Sequence, residues 1–175
     1  MIITETKISG VFLIDVEKME DERGFFARNY CADEFQAAGI EFVPVQANVS
    51  WNKSLGTLRG MHYQIPPFEE DKLVRCSRGR IYDVAVDLRE NSPTYKRWFG
   101  AELSEENGRS LLIPKGCAHG FLTRADDTEV SYLMGSRYIR DSGAGFSWND
   151  PEISIEWPEE PVIISERDAN LKPLT

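Results

Sequence analysis

The sequence predicts an all-β fold, a sandwich or small barrel with few short helices. One run alternates in the manner of a strand: Arg80–Leu88 places Tyr82, Val84, Val86 and Leu88 on one face and Ile81, Asp83, Ala85 and Asp87 on the other. Turn-forming residues separate this run from several similar ones. The third observation is the scarcity of helical patterns along the chain.

The other predicted strands are short and follow one another along the chain. They are Glu41–Ser50, Thr57–Gln64, Lys72–Ser77, Trp98–Leu103, Ser110–Ile113, His119–Thr123 and Glu129–Tyr138. Glycine, proline, serine and asparagine mark the turns between them. One short helix is expected over Ala32–Ala38, with Gly39 as its C-cap.

Length and composition indicate one domain spanning residues 1–175. The chain is 41% hydrophobic and 28% charged, which is ordinary for a globular protein with its own core. No apolar run approaches the ~20 residues of a membrane span, and the N-terminal residues lack the pattern of a signal peptide. The three cysteines have no paired spacing. We therefore expect a cytoplasmic protein without membrane partners.

The net charge of −9 argues against nucleic acid as a partner, because that partner requires a basic face. A small anionic ligand remains compatible with this charge, since a few convergent cations can form a local positive pocket. A small molecule or a second copy of the chain is therefore the expected partner.

The chain has only two histidines, and each lies in an informative context. His62 lies in GTLRGMHYQ, near Arg59 and ahead of Lys72, a setting that suits a base whose substrate becomes an anion. Arg59 and His62 have opposite parity, so a regular strand would point them to opposite faces. We hypothesise a β-bulge at Gly60 that brings both side chains to one face.

His119 ends a P-x-G-x-x-H run, Pro114–His119, which resembles the second motif of the cupin superfamily. A metal-binding cupin also needs a His-x-His pair followed by a glutamate, and GMHYQ offers no such pair. We therefore expect neither a metal ion nor another cofactor.

The whole chain resembles the dTDP-4-dehydrorhamnose 3,5-epimerase family. The stretches that carry the resemblance are DERGFF (21–26), QAN (46–48), TLRGMHYQ (57–64), KLVRC (72–76), YDVAVDLR (82–89), SPT (92–94), IPKGCAHGF (113–121), WND (148–150), IEWP (155–158) and SERDA (165–169). The resemblance implies a cupin-type jelly-roll barrel without a metal, in a homodimer that exchanges N-terminal strands. It also implies an epimerase that inverts C3 and/or C5 of a nucleoside-diphosphate 4-keto-6-deoxyhexose through an enolate.

The resemblance assigns roles position by position. His62 matches the general base, held by Asp168, and Tyr132 matches the acid on the opposite side of the sugar. Lys72 matches the lysine that stabilises negative charge on the C4 oxygen. The remaining matches are pocket or nucleotide contacts: His119, with Asp83 as its partner, and Arg23, Gln46, Asn48 and Arg59.

Three positions depart from the family pattern. Arg28 stands where a glutamate that contacts the nucleotide is expected, Gly143 where many members have glutamate, and Arg167 where lysine is common. Arg28 and Arg167 are retained as candidate substrate contacts. Since all three differences fall on nucleotide or rim positions, the nucleotide carrier is open between dTDP and another such as CDP.

Other interpretations remain open at this point. Tyr132 is also typical of a barrel aromatic, Asp168 of a solvated acid, Lys72 of a charged turn and Arg23 of a surface salt bridge. The alternative functions are a single-site epimerase on another nucleotide-linked deoxysugar, a sugar-nucleotide-binding protein without chemistry, and a metal-dependent cupin enzyme.

Overall fold

A computed structural model describes residues 1–174 and confirms the mainly β architecture. Within these residues the strands are β1 Ile2–Glu5, β2 Phe12–Asp15, β3 Met19–Asp21, β4 Gly24–Phe26, β5 Gln46–Asn52, β6 Thr57–Gln64, β7 Lys72–Arg78, β8 Arg80–Asp87, β9 Trp98–Ser104, β10 Ser110–Ile113, β11 Cys117–Thr123, β12 Thr128–Met134, β13 Gly143–Gly145 and β14 Ile163–Ile164. The helices are α1 Ala32–Ala37, α2 Glu166–Ala169 and a 3-10 turn at Arg140–Ser142.

The strands form two main sheets in which most neighbouring strands are not consecutive in the sequence. One sheet has the order β1-β2-β10-β7-β12-β5 and the other has the order β13-β6-β11-β8-β9, with β14 alongside β6. All pairs are antiparallel except β14 with β6. The predicted cupin-type jelly roll is confirmed, and in the described part of the chain no helix is both long and apolar enough to cross a membrane.

Strand parity sets which side chains fill the space between the two sheets. Val74 and Cys76 of β7 meet Ile81, Ala85 and other residues of the second sheet in one buried cluster. Residues that lie two positions apart on a strand point to the same face, so alternate residues share this inward face. Lys72 precedes Val74 at that spacing, so it too points into the barrel, where the apolar filling ends.

The outer faces of both sheets are also covered. On β8, Val84 and Val86 pack against Phe146 and Ile153 of the C-terminal segment, so this strand is buried on both faces as its apolar alternation requires. On the first sheet, helix α1 covers Leu73 and neighbouring side chains with the buried ring of Phe35.

Two strand boundaries differ from the predicted ones by more than two residues, and several short strands are not predicted by the sequence. The predicted strand Glu41–Ser50 begins only at Gln46, because Pro44 cannot donate a ladder hydrogen bond. The predicted strand Glu129–Tyr138 ends at Met134, where Gly135 donates its backbone N–H to the carbonyl of Asp71 at 3.0 Å. Strands β1 to β4 are too short to show a clear alternation in the sequence.

Asp87 organises a buried polar cluster at the end of β8. Its carboxylate accepts hydrogen bonds from Arg89 at 2.8 Å, Ser92 at 2.5 Å and Thr94 at 2.7 Å. Burial alone would raise the pKa of Asp87, but these donors outweigh burial and lower it from 3.8 to about 2. The cluster is therefore stabilising only while Asp87 is ionised.

The Asp87 cluster gives a pH dependence to the stability of the fold. Because the pKa of Asp87 in the folded state lies below the ordinary value, we expect its ionised carboxylate to contribute about 2 kcal/mol to the free energy of unfolding. This contribution should be nearly complete above pH ~4 and should be lost as the pH falls towards ~2. Chemical denaturation across this range measures the loss. Asp87→Asn should be less stable at pH 7 and should lack this part of the pH dependence; an unchanged pH dependence in the variant would contradict the assignment.

Candidate active site

The candidate site is a pocket of about 300 Å³ at one end of the barrel, between the two sheets. The first sheet supplies Lys72, Tyr132 and Met134, and the second supplies His62, His119 and Phe121. Alternate positions of each strand face inward, so the positions that place Val74 and Cys76 in the core continue with polar side chains at the open end of the barrel. Asn48, Ser50, Arg59, Glu70, Tyr138, Gly143 and Arg167 are among the other lining residues.

A β-bulge at Gly60 brings Arg59 and His62 to this one pocket. In the pairing of β6 with β11, Arg59 lies opposite Phe121 and His62 lies opposite His119. Two residues of β6 therefore face the single Gly120 between these pairs. Gly60 has φ +132°, and a Cβ there would lie 2.6 Å from the Cα of Gly120. The predicted bulge is confirmed, and its geometry requires glycine.

His62 is hydrogen-bonded to a buried carboxylate. Its Nε2 atom lies 2.7 Å from Oδ1 of Asp168, whose Oδ2 accepts the backbone N–H of Gly60 at 3.2 Å. Asp168 is buried, whereas the His62 side chain is 37% exposed, so the ring can meet a ligand on its free side. This arrangement excludes the interpretation of Asp168 as a solvated surface acid.

The short helix α2 positions Asp168. Ser165 caps this helix, and its hydroxyl accepts the backbone N–H of Asp168 at 3.1 Å. Burial would raise the pKa of Asp168, but the hydrogen bonds from His62 and Gly60 and the nearby charge of Arg167 leave it below its ordinary value. The carboxylate is therefore ionised at neutral pH and fixes the tautomer and orientation of His62.

Tyr132 reaches the same pocket from the opposite sheet. Its hydroxyl lies 3.4 Å from Oγ of Ser50, and its ring packs edge-on against His119 with centroids 6.1 Å apart. Burial raises the pKa of Tyr132, with smaller opposing effects from Ser50 and Arg59. The phenol is therefore protonated at neutral pH and can act as an acid.

His119 forms a second histidine–aspartate pair deeper in the barrel. Its Nε2 atom lies 2.7 Å from Oδ1 of Asp83, and both side chains are buried. His119 and Asp83 are therefore brought together as predicted. Among residues 1–174 no group of three or more histidine, cysteine, aspartate or glutamate side chains could hold a metal ion.

Lys72 lies in the pocket wall rather than in a charged surface turn. Its ammonium Nζ lies 2.5 Å from Oε1 of Glu70, and the two side chains are 6% and 12% exposed. A buried cation of this kind can stabilise negative charge that develops on a ligand oxygen.

The predicted nucleotide contacts divide into residues that lie at the pocket and residues that lie outside it. Asn48, Arg59 and Arg167 line the pocket, and Gln46 lies beside it with its amide 3.1 Å from Oδ1 of Asn48.

Arg23 and Arg28 lie outside the pocket of their own chain. Arg23 forms an exposed ion pair with Asp21, and Arg28 forms one with Glu34 at 2.6 Å. For Arg23 this is the surface salt bridge that the sequence also allowed. A contact of either arginine with substrate stays a prediction.

Comparison with known proteins decides the family. The family model described as dTDP-4-dehydrorhamnose 3,5-epimerase matches residues 5–175. The chain belongs to this family. The resemblance read from the sequence motifs is therefore confirmed, together with the expectation of an epimerase.

Curated relatives and solved structures match this epimerase along nearly its whole length. It is 46% identical over 173 residues to the dTDP-4-dehydrorhamnose 3,5-epimerase of Methanothermobacter thermautotrophicus, which covers 97% of this chain and 92% of the relative. The crystal structure of the Bacillus anthracis enzyme with TDP and PPi bound has a TM-score of 0.94 and 41% identity, covering 98% of each chain. A Legionella pneumophila epimerase in complex with dTDP-4-keto-L-rhamnose has a TM-score of 0.91 and 38% identity, covering 98% of this chain and 91% of that one.

Sequence analysis of this epimerase missed several pocket residues. The sequence predicts no role for five residues that line the pocket: Glu70, Ser50, Tyr63, Gln64 and Tyr138. The spacing of Glu70 two residues before Lys72 was the available signal, because residues at this spacing share one face of an extended chain.

Proposed function

We propose that this epimerase acts on a nucleoside-diphosphate 4-keto-6-deoxyhexose, with dTDP-4-keto-6-deoxyglucose as its substrate, and inverts C3 and C5. The observation that carries the proposal is one pocket lined by His62 on one sheet, where Asp168 of helix α2 is hydrogen-bonded to it, and by Tyr132 and Lys72 on the other sheet. The ligands named for the solved relatives, TDP in one and dTDP-4-keto-L-rhamnose in another, support the same substrate class.

The proposed chemistry begins with removal of a proton next to the keto group. His62 accepts the proton, and the electron pair of the C–H bond moves to form an enolate whose charge lies on the C4 oxygen. Asp168 stabilises the imidazolium that results. Lys72 stabilises the enolate oxygen, which a neutral pocket would leave as an uncompensated charge.

The second half of the reaction returns a proton to the opposite face of the carbon. Tyr132 donates its phenolic proton, and the enolate collapses to the ketone with inverted configuration. The phenolate and the imidazolium then exchange protons with solvent, which restores both groups. Base and acid on opposite sheets suit this requirement, because inversion needs one group on each face of the sugar.

The diphosphate is assigned to the cations at the pocket rim. Arg59 and Arg167 line the pocket and present guanidinium groups that bind phosphate oxygens in a fork. Asn48, with Gln46 beside it, offers amide groups for the nucleoside. His119, held by Asp83, is assigned to the sugar.

The experiment that tests this function is proton NMR in deuterated water with dTDP-4-keto-6-deoxyglucose and the corresponding CDP sugar in parallel. Deuterium entering C3 and C5 of the dTDP sugar is the expected result. Exchange at one carbon alone would identify a single-site epimerase instead. Exchange only in the CDP sugar would reassign the carrier and direct attention to Arg28 and Gly143, and absence of exchange in both would contradict the proposed function.

We further propose that residues 1–175 form a single domain that pairs as a homodimer by exchanging N-terminal strands. The β3–β4 hairpin supports this, because all six of its residues are exposed and, within residues 1–174, it pairs with neither large sheet. It carries Phe26, which is 69% exposed. A second copy of the chain would bury the Phe26 ring and bring Arg23 and Arg28 towards the partner's pocket.

Light scattering tests the homodimer. The expected result is a dimer at micromolar concentration, and Phe26→Asp should shift the population towards monomer because it places a charge in the proposed interface. Lys53→Asp, on a loop between β5 and β6, is a matched control that adds the same charged side chain elsewhere. A monomer for the unmodified chain would contradict the proposal.

A cytoplasmic location is part of the same proposal. All three cysteines are free, and Cys76 and Cys117 are buried in the barrel core. Free thiols of this kind suit a reducing compartment.

A further inference from the structure

We propose that Glu70 is a positioning residue for the epimerase reaction: it holds the Lys72 ammonium in place and balances its charge when no enolate is present. The inference rests on the proposed function, because it concerns the group that would stabilise the enolate. It adds a residue that neither the motifs nor the family resemblance assigned.

The first argument is the burial of the Lys72–Glu70 pair. The Nζ and Oε1 atoms lie 2.5 Å apart, and the lysine side chain is 6% exposed. A buried ammonium without a counter-charge is strongly disfavoured relative to the neutral amine. Among residues 1–174 Glu70 is the one carboxylate within ion-pair distance of Lys72, so Glu70 supplies the counter-charge that a buried ammonium needs.

The second argument is that Glu70 is itself held from its other side. Nε2 of Gln64 donates to Oε2 of Glu70 at 2.9 Å. Oε1 of Gln64 in turn accepts the hydroxyl of Ser142 at 2.6 Å and the backbone N–H of Ile139 at 3.1 Å. The chain of hydrogen bonds runs from the segment before β13 to the lysine, and it fixes the carboxylate to which Lys72 is bound.

The consequence is a cation that needs little reorganisation when substrate arrives. An ammonium has three N–H donors, and Glu70 takes one of them. The others remain free to donate to the C4 oxygen of a sugar bound in the pocket, which Lys72 lines. A donor fixed before the reaction stabilises developing charge more than one that must be ordered during it.

The test substitutes Glu70→Gln, which keeps the shape and one acceptor but removes the charge. We expect kcat to fall about 10-fold to 100-fold with KM changed less than about 3-fold, because the loss falls on the enolate rather than on nucleotide binding. Glu69→Gln is the matched control, since it removes an adjacent charge that does not line the pocket. A kcat for Glu70→Gln equal to that of the control would overturn the inference.

A double-mutant cycle with Lys72→Met separates positioning from a general structural effect. If Glu70 acts through Lys72, adding Glu70→Gln to Lys72→Met should lower kcat by less than about 2-fold further. Additive losses in the double variant would overturn the inference, because they would show that Glu70 acts independently of the lysine.

A measurement without substrate distinguishes failure of this inference from failure of the proposed function. Because Glu70 holds the Lys72 Nζ atom, loss of the pair should make that amine more accessible to acetic anhydride. Peptide mass spectrometry reports the modification of each lysine. We expect Lys72 to be acetylated several-fold faster in Glu70→Gln than in the unmodified protein, while Lys53 reacts equally in both. Equal rates at Lys72 would overturn the inference even if the NMR exchange experiment supports the epimerase, and a faster rate would support the pairing even if that experiment fails.

Discussion

Replacing His62 with alanine is expected to lower kcat by about 10³-fold to 10⁴-fold and to abolish deuterium exchange at C3 and C5. His62 is the group in the pocket that combines an accessible face with a buried carboxylate partner, since its Nε2 lies 2.7 Å from Asp168. Losing a general base removes a contribution of about 10²-fold to 10⁴-fold, and in the proposed mechanism this base starts both inversions. The rate of exchange by NMR and the rate of product formation measure the effect.

The fold and the binding of nucleotide should survive the change. The His62 side chain is 37% exposed, so its removal opens no large cavity in the core. Thermal unfolding and titration with dTDP serve as controls. Near-normal turnover in a well-folded His62→Ala variant would remove His62 from the mechanism, whereas loss of both folding and binding would show that the pair with Asp168 is structural.

Replacing Tyr132 with phenylalanine is expected to slow inversion by about 10²-fold or more while leaving proton abstraction in place. His62 lies on the other sheet and can still remove the proton and return a deuteron to the same face. The variant should therefore incorporate deuterium without a matching amount of inverted product. NMR that resolves both isotope content and configuration at each carbon measures this separation.

A second tyrosine provides the control for Tyr132→Phe. Tyr82 lies on the outer face of β8, where it packs with Trp157 away from the pocket. Tyr82→Phe removes the same hydroxyl and should leave both exchange and inversion unchanged. Parallel loss of exchange and inversion in Tyr132→Phe would contradict the division into base and acid, because it would place Tyr132 in the abstraction step.

The bulge at Gly60 shows how far local pattern reaches. The opposite parity of Arg59 and His62, with a glycine between them, was enough to predict an irregular strand. The partner that forces the irregularity could not be named from the sequence. It is Gly120 on β11, whose backbone lies so close to Gly60 that neither position has room for a side chain.

The pairing of His62 with Asp168 could be predicted only through the family resemblance. The two residues are separated by 106 positions, and Asp168 reaches His62 because α2 lies beside β6. Periodicity describes neighbours within one strand and carries no information about such a contact. Without the resemblance, the polar C-terminal stretch around Asp168 is typical of a solvated surface acid.

The sequence by itself determined the all-β class, most of the barrel strands and His62 as a candidate base, whereas the candidate roles of Tyr132, Asp168 and Lys72 came from the family resemblance. It could do so because side-chain alternation and turn chemistry are local properties, and because scarce histidines limit the candidates. Only the tertiary structure decided which side chains share the pocket, that Glu70 pairs with Lys72, and that Arg23 and Arg28 lie outside their own chain's site. The physical reason is that burial and hydrogen bonding between strands distant in sequence depend on the order of strands in the sheets, which local patterns do not encode.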